Sequence, residues 1–74
     1  MDDYKERFIN EYQELSGRIE KLKDILTKNM LDELDFELAC PVVLLSEQLE
    51  TMMRYADILR ERAEIEEINL NKED

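Results

Sequence analysis

Two stretches of the chain carry an apolar residue at alternating intervals of four and three. In the first half these residues are Phe8, Tyr12, Leu15, Ile19, Leu22 and Leu26. In the second half they are Leu38, Val42, Leu45, Leu49, Met52, Ala56, Leu59 and Ala63. Because an α-helix repeats every 3.6 residues, this spacing lines the side chains along one helix face. The sequence therefore predicts two long amphipathic helices and an all-α fold.

Local signals indicate where the two helices begin. Asp2 or Asp3 can cap the first helix, which we predict over about residues 3–27. Pro41 suits the first turn of a helix, where its missing N–H would have no helical partner. We therefore predict the second helix over about residues 41–68.

The segment between the helices, residues 28–40, is predicted to be a structured connector. Asn29 can cap a short helical segment there, which carries Met30, Leu31 and Leu34. A connector of this length returns the second helix antiparallel to the first. The two apolar rows, which we call the seams, then face each other. The chain then forms a single helical-hairpin domain, and residues 69–74 form a polar tail.

Further apolar residues lie off the two seams, so a second surface needs cover. A chain of 74 residues buries little apolar surface on its own. Self-association with closed symmetry is the usual way to cover such a face, and we expect a homo-oligomer, with a connector folded over the face as the alternative. The off-seam residues are Ile9, Ile25, Leu44, Met53, Tyr55, Ile58, Ile65 and Ile68.

The charge balance argues against nucleic acid partners, and the lack of a long apolar run argues against a membrane partner. Twenty acidic and ten basic residues give a net charge of -10, which repels the phosphate backbones of DNA and RNA. The N-terminus is polar and acidic, and no apolar run approaches the length of a bilayer span. We expect a protein of the cytoplasm.

Catalysis and metal binding find little support in the sequence. The chain has no His, no Gly-rich phosphate loop and one cysteine, Cys40, which cannot form an internal disulfide. Paired carboxylates are expected by chance in so acidic a sequence. We predict neither an enzyme nor a protein with a metal or cofactor.

The open end of the predicted hairpin gathers aromatic and basic side chains. If Leu26 faces Val42, then Tyr12 lies near Ala56 and Phe8 near Arg60. An aromatic ring can stack on a nucleobase while a neighbouring cation meets a phosphate. Alternatively, Tyr12 is a core residue and the arginines pair with nearby acids on the helix surface. The residues gathered there are Tyr4, Tyr12, Tyr55, Lys5, Arg7, Arg54, Arg60 and Arg62.

A second basic group lies midway along the first helix and consists of Arg18, Lys21 and Lys23. These cations can flank a cleft between protomers. They can equally be solvated residues paired with nearby acids.

Two stretches carry a resemblance to a known family, and together they span roughly residues 5–65. The first is Phe8-Ile9-x-Glu11-Tyr12-x-Glu14-Leu15-x-x-Arg18-Ile19-x-Lys21-Leu22. The second is Leu44-Leu45-x-x-Gln48-Leu49-x-x-Met52-x-x-Tyr55-x-x-Ile58-Leu59-x-x-Arg62. They resemble short helical proteins of tailed bacteriophages, including crAss-like phages. That family is similar in turn to the phage anti-CBASS sponges, helical hexamers that sequester cyclic nucleotides.

The resemblance implies an anti-defence sponge that encloses a cyclic nucleotide immune signal of the bacterial host between protomers. The implied ligand is a cyclic di- or trinucleotide or a cyclic ADP-ribose. The sponges use aromatic and basic residues near helical interfaces, and the corresponding candidates here are Arg7, Tyr12, Lys21, Arg54 and Tyr55. Two alternatives remain open: an acidic inhibitor or adaptor of a host protein, and a small structural or assembly protein of the virion.

Overall fold

A computed structural model of the chain describes residues 3–70 and contains two α-helices there, α1 (Asp3–Met30) and α2 (Val42–Glu66). The prediction of an all-α fold with two helices is confirmed for this part of the chain. The helix α1 extends three residues beyond the predicted end at residue 27. Asp2, a candidate cap, and residues 71–74 of the predicted tail lie outside the described residues.

The helix α2 begins directly after Pro41, which has extended backbone angles (φ -60°, ψ 145°) and forms no side-chain cap. The Pro41 carbonyl instead accepts the first backbone bonds of α2, from the N–H groups of Leu44 and Leu45 at 3.1 and 3.3 Å. Proline thus occupies the position just before α2, because its fixed φ matches an extended entry into a helix.

Both helices end in the same way, on an acidic residue with left-handed backbone angles. Asp32 has φ 60° and Glu67 has φ 59°. Beyond α2, the N–H of Ile68 donates to the Ala63 carbonyl at 2.8 Å, and that of Glu67 donates to Glu64 at 3.4 Å. This pair of bonds is a Schellman motif, which satisfies the last carbonyls of a helix. It also returns Ile68 to the core, where it is buried.

The connector differs from the prediction, because residues 31–41 form turns and bends and contain no helix. Asn29 and Met30 belong to the last turn of α1 instead of a separate segment. The left-handed Asp32 ends α1, and the Glu33 N–H donates to the Lys28 carbonyl at 2.7 Å. Four acids follow between residues 32 and 37. Negative charge is unfavourable beside a helix C-terminus, and Glu33 would repel Glu37 one turn away, which explains why no helix continues.

The core lies between the two helices in the half of the hairpin that is away from the connector. Partly buried apolar residues, among them Tyr12, Leu49 and Met52, pack against it. Leu59 is the most deeply buried side chain, with 1% of its surface exposed. The buried residues are Phe8, Leu15, Ile19, Ala56, Leu59, Ala63 and Ile68.

The hairpin is antiparallel, and its cross-helix contacts lie slightly off the expected register. Tyr12 lines a groove with Ala56, as expected, but its hydroxyl bonds to Arg60. Phe8, which was expected near Arg60, has its ring under the guanidinium of Arg62. Side chains on a helix lean toward its N-terminus. In an antiparallel pair Tyr12 therefore leans toward the end of α2 while Arg60 leans back toward Ala56, and the two meet.

The hairpin is elongated, with principal extents of 46 × 21 × 17 Å and a radius of gyration of 15.2 Å. A compact domain of this length has a radius of gyration of about 11 Å. The accessible surface is 5868 Å², whereas a compact monomer of the same mass exposes about 4,800 Å². The protomer therefore exposes about 1,000 Å² more than a compact fold would. Within residues 3–70, neither helix is long and apolar enough to cross a membrane.

Candidate functional site

A groove of about 250 Å³ lies along one side of the interface between α1 and α2, and we call it the Tyr12 groove. Helical spacing explains how α1 contributes to it, because its residues follow each other at three or four positions along one flank of the seam. The helix α2 supplies the opposite wall. The lining residues are Tyr12, Ser16, Ile19, Glu20 and Lys23 from α1 and Met53, Ala56, Asp57 and Arg60 from α2.

The Tyr12–Arg60 pair joins the two walls of the groove. The Arg60 Nη1 donates to the Tyr12 hydroxyl at 2.9 Å, and the guanidinium carbon lies 5.9 Å from the centre of the Tyr12 ring. Arg60 also forms an ion pair with Asp57 one turn away on α2. The bond to Tyr12, together with the weaker effect of Asp57, raises the pKa of Arg60 above its usual range. Arg60 therefore stays cationic, and its position is fixed from both helices.

The groove has a balanced charge in a strongly acidic protein. Lys23 and Arg60 supply two cations, and Glu20 and Asp57 supply two carboxylates. Lys23 forms no ion pair with any of residues 3–70 and is exposed. Met53 adds an apolar surface, and Ser16 adds a hydroxyl that can donate or accept. The arrangement suits a ligand with a flat ring and an anionic group.

A second cluster of aromatic and charged side chains joins the helices at the open end, and we call it the Tyr4 clasp. The Tyr4 hydroxyl donates to Glu66 Oε1 at 2.7 Å and accepts from Arg62 Nη2 at 2.7 Å. Arg62 Nε also donates to Glu66 Oε2 at 3.3 Å, and its guanidinium carbon lies 4.8 Å from the centre of the Phe8 ring. These contacts hold α1 against the last turn of α2. The clasp is therefore a structural feature of the hairpin.

The clasp changes the proton affinity of its charged groups. The bonds from Tyr4 and then Arg62 lower the pKa of Glu66 below its ordinary value. The pKa of Arg62 is raised, first by its bond to Glu66 and then by Tyr4. Both shifts favour the charged forms, so the clasp is an ion pair at neutral pH.

A larger hollow of about 500 Å³ lies beside the connector, but its chemistry differs. Phe36 supplies an aromatic ring there, while Asp32 and Glu37 supply negative charge. None of the residues that line this hollow is basic. It is therefore less suited to an anionic ligand than the Tyr12 groove is.

The five residues predicted from the sequence do not meet in one site of the protomer. Of these, Tyr12 lines the groove, whereas Arg7, Lys21, Arg54 and Tyr55 do not. All four are exposed. Arg54 lies about 200° around α2 from the buried Ala56, so it points away from α1. These four residues can act together with Tyr12 only across a contact between protomers.

Sequence reasoning placed Arg60 and Lys23 in the two basic groups but did not choose them as ligand contacts. The signal was available, because Ser16, Glu20 and Lys23 follow Tyr12 at helical intervals on one flank of its seam. Met53, an off-seam apolar residue, is the matching signal on α2. In the alternative interpretation of the open end, Arg54, Arg60 and Arg62 form surface ion pairs with nearby acids. Arg60 and Arg62 have such pairs, while Arg54 has none within residues 3–70.

Metal binding finds no geometric support in the described part of the chain. Among residues 3–70, no group of three or more Cys, Asp or Glu side chains is arranged to hold an ion. Cys40 is exposed and unpaired with another cysteine.

A comparison with family models matches the Sequestin family over residues 2–65. The match spans most of the chain, and the chain therefore belongs to the Sequestin family. The family name is that of a sequestering protein, which is consistent with a binding role. No curated protein and no solved structure matches the chain.

Proposed function

We propose that this member of the Sequestin family is a phage-encoded sponge, a non-enzymatic protein that sequesters a cyclic nucleotide immune signal of the bacterial host. The observation that carries the proposal is the Tyr12–Arg60 pair, which brings an aromatic ring and a fixed guanidinium to one groove. The ring suits a nucleobase, and Arg60 with Lys23 suits phosphate oxygens. The resemblance to phage sponge proteins supports the choice of a cyclic nucleotide.

The size of the groove supports binding by more than one copy. Pockets that enclose small ligands usually measure about 300–1,000 Å³, whereas the Tyr12 groove measures about 250 Å³. One protomer therefore supplies a half-site. In a homo-oligomer, a second copy completes the enclosure, and the exposed Arg7, Lys21, Arg54 and Tyr55 are the residues that a neighbour can contribute.

The groove offers binding groups but few catalytic ones. Its carboxylates, Glu20 and Asp57, are exposed, and Asp57 is held by Arg60. Release of a ligand unchanged is the outcome we expect from such a site. A stoichiometric binder removes the signal by mass action, which requires tight binding and abundant protein.

The test is a thermal-shift screen of the purified chain against cyclic di- and trinucleotides and cyclic ADP-ribose isomers, followed by calorimetry. A ligand at one hundred times its dissociation constant adds about 2.7 kcal/mol, which raises Tm by about 10–20 °C in a domain of this size. Arg60→Gln and Tyr12→Leu should abolish the shift. Arg18→Gln is the matched control, because Arg18 is exposed on α1 and does not line the groove.

Two further measurements test whether the chain is a sponge for a cyclic nucleotide. Ligand recovered after denaturation should be chemically intact, since breakdown would indicate an enzyme. A linear dinucleotide of the same bases should bind more weakly, because the cyclic form loses less conformational freedom on binding. No shift with any ligand would sink the sponge and favour a host-protein partner.

The host-protein alternative has its own structural support. Apolar side chains are exposed around the connector, where they cannot contact the core of their own chain. A protein inhibitor or adaptor would use such a surface. The side chains in question are Met30, Leu31, Phe36 and Val43, which are 77%, 59%, 55% and 68% exposed.

A further inference from the structure

The helix α2 carries a second row of side chains outside the hairpin core, and we call it the α2 outer seam. Its residues repeat at intervals of four and three, and all seven are exposed. The seam lies on the flank of α2 away from the Tyr12 groove, on the same side as the Tyr4 clasp that Arg62 joins. Its members are Leu44, Gln48, Thr51, Tyr55, Ile58, Arg62 and Ile65.

Four of the seven residues in the seam are large and apolar. Leu44, Tyr55, Ile58 and Ile65 are 53%, 40%, 39% and 81% exposed. A repeat of four and three is the spacing with which one helix packs against another. The surface therefore fits a helix, and the chain itself supplies one with the same seam.

We propose that two copies of the chain associate through their α2 outer seams, antiparallel, with Tyr55 of each protomer packed against Ile58 of its partner. In this register, the numbers of residues that face each other across the dimer sum to about 113. The proposal rests on the homo-oligomer in the proposed function and specifies one of its interfaces, distinct from the contact that closes the Tyr12 groove. It does not require a ligand.

Charge complementarity selects this register. In the proposed dimer, Arg54 of each protomer flanks the seam beside Glu61 of its partner, which gives two ion pairs related by symmetry. Neither side chain forms an ion pair within residues 3–70 of its own chain. Each of these groups is thus available to the partner.

The competing arrangements place like charges together. A shift by one heptad sets Arg54 against its own copy and Glu47 against Glu61. A parallel pair stacks Arg62 on Arg62 along the seam. Like charges at these positions oppose association, so the charge pattern disfavours both arrangements.

The surplus surface of the elongated chain is of the order that a dimer buries. A standard interface buries about 800 Å² on each partner, and the protomer exposes about 1,000 Å² more than a compact fold of its mass. The interface also leaves the Tyr12 groove open, because the groove lies on the other flank of α2. Tyr55 and Arg54 then contact the α2 partner, so enclosure of a ligand in the Tyr12 groove falls to a further copy, with Arg7 and Lys21 as its candidate residues.

The first test reverses the charges of the ion pair. Sedimentation equilibrium of the full chain without nucleotide should show dimers that weaken at least about tenfold in Arg54→Glu and in Glu61→Arg. The combination R54E/E61R should restore the affinity, because it rebuilds both pairs with opposite sign. Lys28→Glu is the control, since it also replaces a cation by a carboxylate, at an exposed position of α1 away from the seam, and should leave dimerisation unchanged.

The second test reads the register directly in a Cys40→Ser background. Mixing the variants Tyr55→Cys and Ile58→Cys should yield a disulfide between the two chains on mild oxidation. Leu44→Cys alone should not cross-link to itself, because the register separates the two copies of residue 44 by more than about 30 Å. All of these positions are exposed, so the substitutions leave the hairpin core intact.

Several outcomes would overturn the interface. They are a monomer at every concentration, no recovery in R54E/E61R, or self-cross-linking of Leu44→Cys. The nucleotide screen on Glu61→Arg keeps the two proposals apart, because Glu61 is not among the candidate ligand residues. Retained ligand binding with no α2 dimer would overturn this interface and leave the sponge standing.

Discussion

The two ends of the hairpin are built in opposite ways. At the open end, where the helices have no covalent link, the core residues Phe8, Leu59 and Ala63 are buried and the Tyr4 clasp joins α1 to α2. At the connector end, where the chain itself joins the helices, none of residues 20–55 is buried. The difference shows that side-chain packing holds the end that the backbone leaves free.

At the connector end, the covalent chain keeps the two helices close together. Less side-chain packing is therefore needed to hold them there. The entropy of closing a short loop is small compared with that of docking two free ends. Its exposed apolar side chains are consequently available for other contacts. The predictions below either break this contrast between the two ends or sharpen it.

The largest expected effect is loss of stability on Leu59→Ala, which leaves a cavity in the core. We expect a loss of about 2–5 kcal/mol in the free energy of unfolding, measured by urea denaturation with circular dichroism. Leu26→Ala is the matched variant at the connector end, where Leu26 is half-buried. It should cost less than half as much. Equal losses would show that the two ends are packed alike.

A smaller change in the free energy of unfolding should follow from titration of Glu66 in the Tyr4 clasp. The pKa of Glu66 is lowered in the folded state, so the unfolded state binds more protons as the pH falls. The stabilisation is fully present above the unfolded value of about 4.5. It is lost as the pH falls through the folded pKa.

The pH effect is measured as a difference between variants, because twenty acids contribute to the whole curve. Urea midpoints of the native chain and of Glu66→Gln should converge as the pH falls through the folded pKa of Glu66 and separate fully above about 4.5, with the native chain more stable. Tyr4→Phe should reduce this separation, because Tyr4 is the main cause of the shift. Glu64→Gln, an exposed neighbour on α2, serves as the control. A constant offset at all pH values would argue against the clasp as an ion pair.

The smallest expected effects are at the exposed apolar residues of the connector end. Met30→Ser and Phe36→Ser should change the free energy of unfolding by less than about 0.5 kcal/mol in dilute solution, because neither side chain is buried. The measurement is the same urea titration at several protein concentrations. A large, concentration-dependent loss would mean that another copy covers this end.

The sequence predicted the elements of this fold well because each depends on local spacing. The seam from Phe8 to Leu26 defines α1, and Pro41 marks the entry to α2. The prediction of a short helical segment in the connector was wrong. Met30, Leu31 and Leu34 have a helical spacing, but the charges of the following acids oppose a helix. Three apolar residues are too few to outweigh that repulsion.

The candidate site was harder to predict than the fold. Tyr12 was chosen for its position at the open end, but its partner Arg60 depends on how far each side chain leans along its own helix. The predicted register, which pairs Leu26 with Val42 and so places Tyr12 near Ala56, treats residues as points at their Cα atoms. A long arginine reaches a full turn from its Cα, so the register of contacts follows the side chains.

The helix ends described above bear on how many mutations this chain tolerates. Asp32 and Glu67 occupy left-handed positions that glycine adopts without strain, while Gly17 lies inside α1 with open space around its missing Cβ. Glycine at position 67 and alanine at position 17 would each add about 1 kcal/mol. A few such changes, distant from the groove and the α2 outer seam, would provide a reserve of stability. With that reserve, the binding surfaces could diversify toward new ligands without loss of the hairpin.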